Sequence, residues 1–196
     1  NILHVPCRPA ELAKERGMTE EALEARRIYD ALVDRMRWVD RNGIERTLRA
    51  EDLLVVALYN LQVKQLQRVL PEDARVGTVD ISFHRDDIGR HPIPKEFAPT
   101  HIPADVHGAM VILVDDVLFS GRTVKAALDE LFDHGRPRKV ELAVLVDRGN
   151  RLLPVAADFT GLTLDAGPEE RVRVTLDPKN PQQDAVAVLP NRKSKI

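Results

Sequence analysis

Residues 111–123 read VILVDDVLFSGRT: four apolar residues, two adjacent aspartates, then a short polar turn built around a glycine. The apolar run predicts a buried strand at 111–114. Thr123 to His134 then predicts a helix closed by Gly135, and KVELAVLV (139–146) predicts a second buried strand. Strand, helix and strand in that order make a βαβ unit with a right-handed crossover, which lays the two strands parallel in one sheet. The fold class is therefore α/β, a mostly parallel sheet flanked by helices.

The flanking text extends the pattern. LLVVALY (53–59) is a continuous apolar run, as a strand buried on both faces requires. LQVKQLQRVL follows at helical period and stops at Pro71. In VGTVDISF (76–83), Val79, Ile81 and Phe83 alternate with polar residues, as in a strand. Upstream, Thr19 reads as an N-cap. Ala22, Ala25, Tyr29, Leu32, Met36 and Val39 recur at spacings of three and four, predicting one helix that ends near Asn42-Gly43. RVRVTL (171–176) and DAVAVL (184–189) read as closing strands. Between 84 and 108 lie Pro92, Pro94, Pro99 and Pro103 with little periodicity. A loop of that length in a compact domain carries function or motion. The resulting organisation is an arm at 1–18, one domain over 19–190 and a basic tail at 191–196.

Bulk properties narrow the function. At 196 residues the chain holds one domain with a sizeable core, and 29 Lys plus Arg against 31 Asp plus Glu demand no polyanionic partner. The single cysteine, Cys7, forms no internal disulfide and no zinc-ligand pair. The chain carries no membrane-length apolar run and no signal-peptide pattern, so a soluble, cytoplasmic protein is expected.

The chemistry centres on the opening stretch. In open α/β sheets ligands bind beyond the carboxyl ends of the strands, where strand order reverses. Asp115 and Asp116 occupy such an end. The turn Ser120, Gly121, Arg122 and Thr123 leads into a helix N-terminus, where backbone N–H groups and the helix dipole favour a phosphate. Gly121 lets the backbone approach closely, and Ser120 and Thr123 add hydroxyl donors. Carboxylates for vicinal hydroxyls beside an anion cradle suit a ribose 5-phosphate. One aspartate there would be explained as a cap of the next helix; a pair is not so readily explained.

These residues carry a resemblance. VILVDDVLFSGRT is similar to the phosphoribosyl-pyrophosphate signature of the type I phosphoribosyltransferases. VDISFHRDD (79–87) and LAVLVDRGNRLLPVAADFTG (142–161) resemble the PyrR family of bifunctional pyrimidine operon attenuators and uracil phosphoribosyltransferases. The likeness is strong over about residues 76–163. It implies a type I fold with a flexible loop and a small hood. Asp115 and Asp116 would take the ribose hydroxyls, and Ser120 to Thr123 the 5-phosphate. Arg85 and Asp86 would lie in the catalytic loop that closes over pyrophosphate, and Val146, Asp147 and Arg148 would form the hood over uracil. It further implies phosphoribosyl pyrophosphate (PRPP), uracil and uridine monophosphate (UMP) as ligands. Mg²⁺ would arrive with the pyrophosphate rather than at a direct protein site. The implied partners are an mRNA hairpin and further copies of the chain, as a dimer or higher homo-oligomer.

Three stretches depart from that family. The turn after its first strand is normally Thr-Arg-Gly or similar, whereas Ala57 to Leu61 (ALYNL) has neither glycine nor positive charge. Weak pyrophosphate binding is expected there, because a glycine-free turn presents N–H groups to an anion less easily. DRGN puts Asn150 where the family has histidine, and LTLDAGPEE (162–170) is acidic, which predicts weaker contact with RNA phosphates. The alternative is then a regulator of low or absent turnover that senses a nucleotide and acts through RNA or protein contacts.

Overall fold

The computed structural model of the chain describes residues 20–39, 42–58, 60–82, 99–175 and 185–190. The expected arm at 1–18 and tail at 191–196 lie outside them. Five parallel strands form the central sheet: β3 (Leu53–Ala57), β4 (Arg75–Thr78), β5 (Met110–Leu118), β6 (Lys139–Asp147) and β7 (Phe159–Thr163), in spatial order β4-β3-β5-β6-β7. From β3 the chain goes out to β4 on one side, then returns to lay β5 on the other. The boundary between β3 and β5 is therefore the point where strand order reverses.

Two cores sandwich the sheet. Leu53, Val55, Ala57, Ile112, Val114 and Ala143 face α1 (Glu20–Leu32) and α2 (Asn60–Val69), burying Ile28, Tyr29, Leu66 and Val69. Leu54, Val56, Val111, Leu113, Leu142 and Val144 face α3 (Arg122–Asp133), burying Val124, Ala127 and Leu131. Covered on both faces, the strands read as unbroken apolar runs.

Three expectations need correction. The first helix stops at Leu32, not near Asn42. Asp34 adopts φ 59°, a left-handed conformation that Asp tolerates better than most residues, and the helix closes there with Met36 N–H donating to Leu32 C=O at 2.9 Å. The following residues form an antiparallel pair, β1 (Arg37–Val39) with β2 (Glu45–Thr47), and Asn42-Gly43, with Gly43 at φ 79°, lies in the connection between them. Val39, counted in the helical stripe, is 64% exposed.

The strand expected at 76–83 ends at Thr78. There Thr78 exchanges backbone hydrogen bonds with His101, and the N–H of Asp80 donates to Thr100 Oγ1, so the chain turns away. Finally, the closing strand of the sheet is Phe159–Thr163. Residues Glu170–Thr175 (β8) and Ala185–Pro190 (β9) instead pair with each other as a separate antiparallel ribbon.

Candidate ribose-phosphate site

β3 leaves the sheet at Ala57, opposite Val114, whereas β5 continues against β6 as far as Leu118, opposite Asp147. Asp115 and Asp116 thus lie inside the strand rather than just past it, where β5 first has a neighbour on one side only. Adjacent strand residues point to opposite faces, so the pair divides. Asp115 is 1% exposed, and its Oδ1 accepts from the N–H of Asp116 at 2.9 Å. Asp116 is half-buried, and its Oδ1 accepts from the N–H of Val117 at 2.8 Å. Of the two carboxylates, Asp116 is the more accessible and Asp115 the buried one.

Beyond Leu118 the chain turns through Phe119 and Ser120 to Gly121, the N-cap of α3, at φ 88° and with no side-chain cap. Ser120 Oγ accepts from the N–H of Arg122 at 3.3 Å. Gly121 is required twice over. Its φ is left-handed, and a Cβ would stand 3.2 Å from Leu153 Cβ and 3.3 Å from Val155 Cγ2. Gly121 supplies no side-chain cap to this 12-residue helix, although Ser120 Oγ takes the N–H of Arg122, and the positive end of the helix dipole lies at this turn, a few residues along the chain from Asp116.

The segment after β6 closes over this turn from behind. Arg148 N–H donates to Leu118 C=O at 3.1 Å, and the N–H groups of Leu152 and Leu153 donate to Ser120 C=O at 3.1 and 3.0 Å. Arg151 Nη1 reaches Leu118 C=O at 3.2 Å and Phe119 C=O at 3.0 Å, while its Nη2 pairs with Asp147 Oδ2 at 2.5 Å. Sequence reasoning passed over Arg151. The available signal was its position four residues after Asp147.

Of the expected hood residues, Val146 is fully buried and paired on both sides, with Val117 and Leu162. Asp147 is half-buried and accepts from Gly149 N–H at 2.9 Å. Arg148 is 5% exposed. Its guanidinium lies 4.0 Å from the centre of the Phe119 ring and donates to Gly167 C=O at 3.2 Å. Its Nε has no hydrogen-bond partner among the described residues. Asn150 sits at φ 54° and donates from Nδ2 to Ala166 C=O at 2.7 Å. The two departures from the family, DRGN and LDAGPEE, therefore touch each other.

Arg85 and Asp86 lie outside the described residues, as does His84. The returning end of their loop is anchored: Thr100 Oγ1 donates to Glu130 Oε1 of α3 at 2.5 Å. At the departing turn, Ala57 and Leu58 are buried, and Leu58 packs in the core beneath α3. Tyr59 lies outside the described residues. Ala57 stands opposite Val114, so this turn borders the Asp pair.

Comparison with known proteins bears on the family of the chain. The model of the phosphoribosyl transferase domain matches residues 55–177. The bifunctional protein PyrR of Streptomyces coelicolor is 45% identical over 141 residues, covering 68% of this chain and 72% of that protein. The bifunctional protein PyrR of Listeria welshimeri is 40% identical over 158 residues, 76% of this chain and 86% of that protein. Among solved structures, a hypoxanthine-guanine phosphoribosyltransferase of Bacillus anthracis is 18% identical over 90% of each chain, with a TM-score of 0.47. With a matched domain running from β3 past β8 and PyrR relatives aligned over most of its length, the chain belongs to the PyrR family of the type I phosphoribosyltransferases.

Proposed function

We propose that the chain is a PyrR-type pyrimidine regulator and uracil phosphoribosyltransferase, joining uracil to PRPP to give UMP and pyrophosphate. The observation that carries this reading is the half-buried Asp116 at the strand-order reversal, a few residues before the glycine-led N-terminus of α3. A ribose 5-phosphate needs acceptors for its hydroxyls and donors for its phosphate within one sugar's length, and this junction offers both.

In the reaction the bond from C1′ to pyrophosphate oxygen breaks, the bond from C1′ to uracil N1 forms, and the N1 proton is released. Asp116, with Asp115 behind it, holds the ribose hydroxyls. The Ser120–Thr123 turn holds the 5-phosphate and so fixes C1′ against the incoming base. Uracil lies under the hood of Val146, Asp147 and Arg148. Val146 contributes as a wall, and the polar contacts come from the other two residues and their backbone. Arg85 and Asp86 close over the leaving pyrophosphate, where a guanidinium stabilises charge as it develops and closure excludes water. A Mg²⁺ arriving with the substrate would be held mainly by its diphosphate oxygens. Such an ion would neutralise the leaving group.

A second reading has its own observation. Ala57 and Leu58 turn their side chains into the core where a pyrophosphate turn belongs, which favours a nucleotide-sensing regulator of low turnover acting through RNA or protein contacts. An RNA hairpin, further copies of this chain and a cytoplasmic setting belong to both readings. Among the described residues no helix is long and apolar enough to cross a membrane.

Calorimetric titration with UMP and PRPP, together with a pyrophosphate-release assay on uracil, tests both. Tight UMP binding with uracil-dependent release supports the first reading, and tight UMP binding without release supports the second. No binding of either ligand overturns the site.

A further inference from the structure

We propose that Arg151 is the positioning residue of the phosphate subsite. It does not touch the ligand; it holds the turn that does. The inference rests on the reading of residues 118–123 as a phosphate cradle.

Every peptide bond here is trans, and in a trans peptide the C=O of one residue points opposite to the N–H of the next. The carbonyls of Leu118, Phe119 and Ser120 are all drawn toward the segment 148–153. Leu118 is held by Arg148 N–H and by Arg151 Nη1, and Phe119 by Arg151 Nη1 at 3.0 Å. Ser120 is held by the N–H groups of Leu152 and Leu153. The N–H groups of Phe119, Ser120 and Gly121 must then point the other way. Three successive N–H groups on one side of a turn form an anion-binding concavity. Among the described residues Phe119 C=O is held by Arg151 alone, so the middle N–H of the three, that of Ser120, takes its direction from this side chain.

The guanidinium itself is fully engaged. Nε donates to Val155 C=O at 3.2 Å, Nη1 also donates to Gly149 C=O at 2.9 Å, and Nη2 is paired with Asp147. All three guanidinium nitrogens are thus turned onto protein acceptors, four of them backbone carbonyls, which is the pattern of a side chain that holds a turn. Its geometry also excludes lysine as a substitute, because a single ammonium on a flexible stem cannot span acceptors spread over a planar fork.

The test is Arg151→Lys, which keeps the charge beside Asp147 and loses the reach to the turn, with Arg151→Gln as the second variant should the first not fold. Calorimetry compares UMP with uridine on wild type and variant, and thermal unfolding is followed in parallel. UMP affinity should fall about tenfold to a hundredfold, the cost of misplacing a binding group by roughly an ångström. Uridine affinity should stay within about twofold, the same tolerance in the absence of a phosphate to misplace. A merely structural role would weaken both ligands together, and that parallel loss overturns the proposal. So does a variant that keeps the full preference for UMP. If wild type itself binds UMP no better than uridine, the phosphate cradle is wrong and the role of Arg151 falls with it.

Discussion

Replacing Asp116 by asparagine separates ligand binding from folding in a way that replacing Asp115 does not. Oδ1 of Asp116 accepts from Val117 N–H at 2.8 Å, and asparagine's amide oxygen can keep that bond, so the strand is undisturbed. Oδ2 becomes an amide NH₂, a donor where a ribose hydroxyl needs a charged acceptor. One charge-assisted hydrogen bond is worth about 1.5–3 kcal/mol, or roughly tenfold to a hundred-and-fiftyfold in affinity at 1.4 kcal/mol per decade. Thermal stability should stay within about 0.5 kcal/mol of wild type. Asp115→Asn should behave differently. That carboxylate is 1% exposed and accepts from Asp116 N–H, so placing an amide there disturbs a buried network at a cost of about 1–3 kcal/mol. For a protein of this size each kcal/mol lowers Tm by about 2–4 °C. The assay is calorimetry with UMP beside a thermal melt of each variant. If Asp116→Asn binds UMP like wild type, the carboxylate does not hold ribose. If the two variants melt alike, the division of the pair into wall and ligand contact is wrong.

The remaining expectations can be checked on the same material. Gly121→Ala should destabilise by about 1–3 kcal/mol, from a left-handed backbone and a Cβ crowding Leu153 and Val155, and should weaken UMP binding in the calorimeter. Tyr29 carries a buried hydroxyl without a partner among the described residues, and burial, reinforced by Asp73 and Asp30, raises its pKa above the usual tyrosine value. With the folded value above the unfolded one, ionisation of Tyr29 leaves stability unchanged below about pH 10 and lowers it as pH rises toward and through the folded value. Tyr29→Phe should therefore gain stability of the order of 1 kcal/mol at neutral pH and flatten the alkaline decline in denaturant melts. Placing Thr-Arg-Gly at Leu58, Tyr59 and Asn60 should raise uracil-dependent pyrophosphate release, by at most about a hundredfold to a thousandfold. Because Leu58 is buried against the α3 side of the sheet, the graft should also cost about 1–3 kcal/mol in a melt; unaltered release would show that this turn does not limit turnover.

The central βαβ unit was legible because VILV and KVELAVLV lie between helices on both faces, and burial on both faces writes an apolar run with little ambiguity. The extent of β5 was not. Its last residues, Asp115 to Leu118, remain a strand because β6 still pairs with them, and nothing in the local letters announces a neighbour contributed by residues 144–147. The false continuation of α1 had a similar origin. Met36 and Val39 fit the helical spacing, but the stop was an aspartate at positive φ rather than glycine or proline, and local pattern gives aspartate little weight as a terminator. β7 escaped notice because FTGLT is short and holds a glycine, which is depleted in strands; in place Gly161 is needed, since a Cβ would stand 2.9 Å from Leu145 C=O. At the site, the residues read from the motif were found together on one junction. Arg151 was not anticipated, because its partners are backbone carbonyls, whose position no side-chain pattern records.

The two halves of the proposed chemistry stand on different stretches of chain, and this decides how the departures from the family should be weighed. The ribose-phosphate half is built from β5, the turn to α3 and the segment 148–155, which are joined by hydrogen bonds to one another. The pyrophosphate half falls to the turn after β3, whose Ala57 and Leu58 are committed to packing. Substitutions there leave the hydrogen bonds of the first half untouched. Loss of glycine and charge at ALYNL is therefore compatible with an undamaged nucleotide pocket, and no compensating change is demanded beside Asp116. The changes at Asn150 and LDAGPEE follow a different logic, since Asn150 Nδ2 holds Ala166 C=O and Arg148 holds Gly167 C=O. They form one altered surface next to the hood, joined through the same segment to the intact half. A regulator that binds UMP well and turns over slowly is thus an arrangement this fold can hold without strain, because sensing and turnover depend on separable parts.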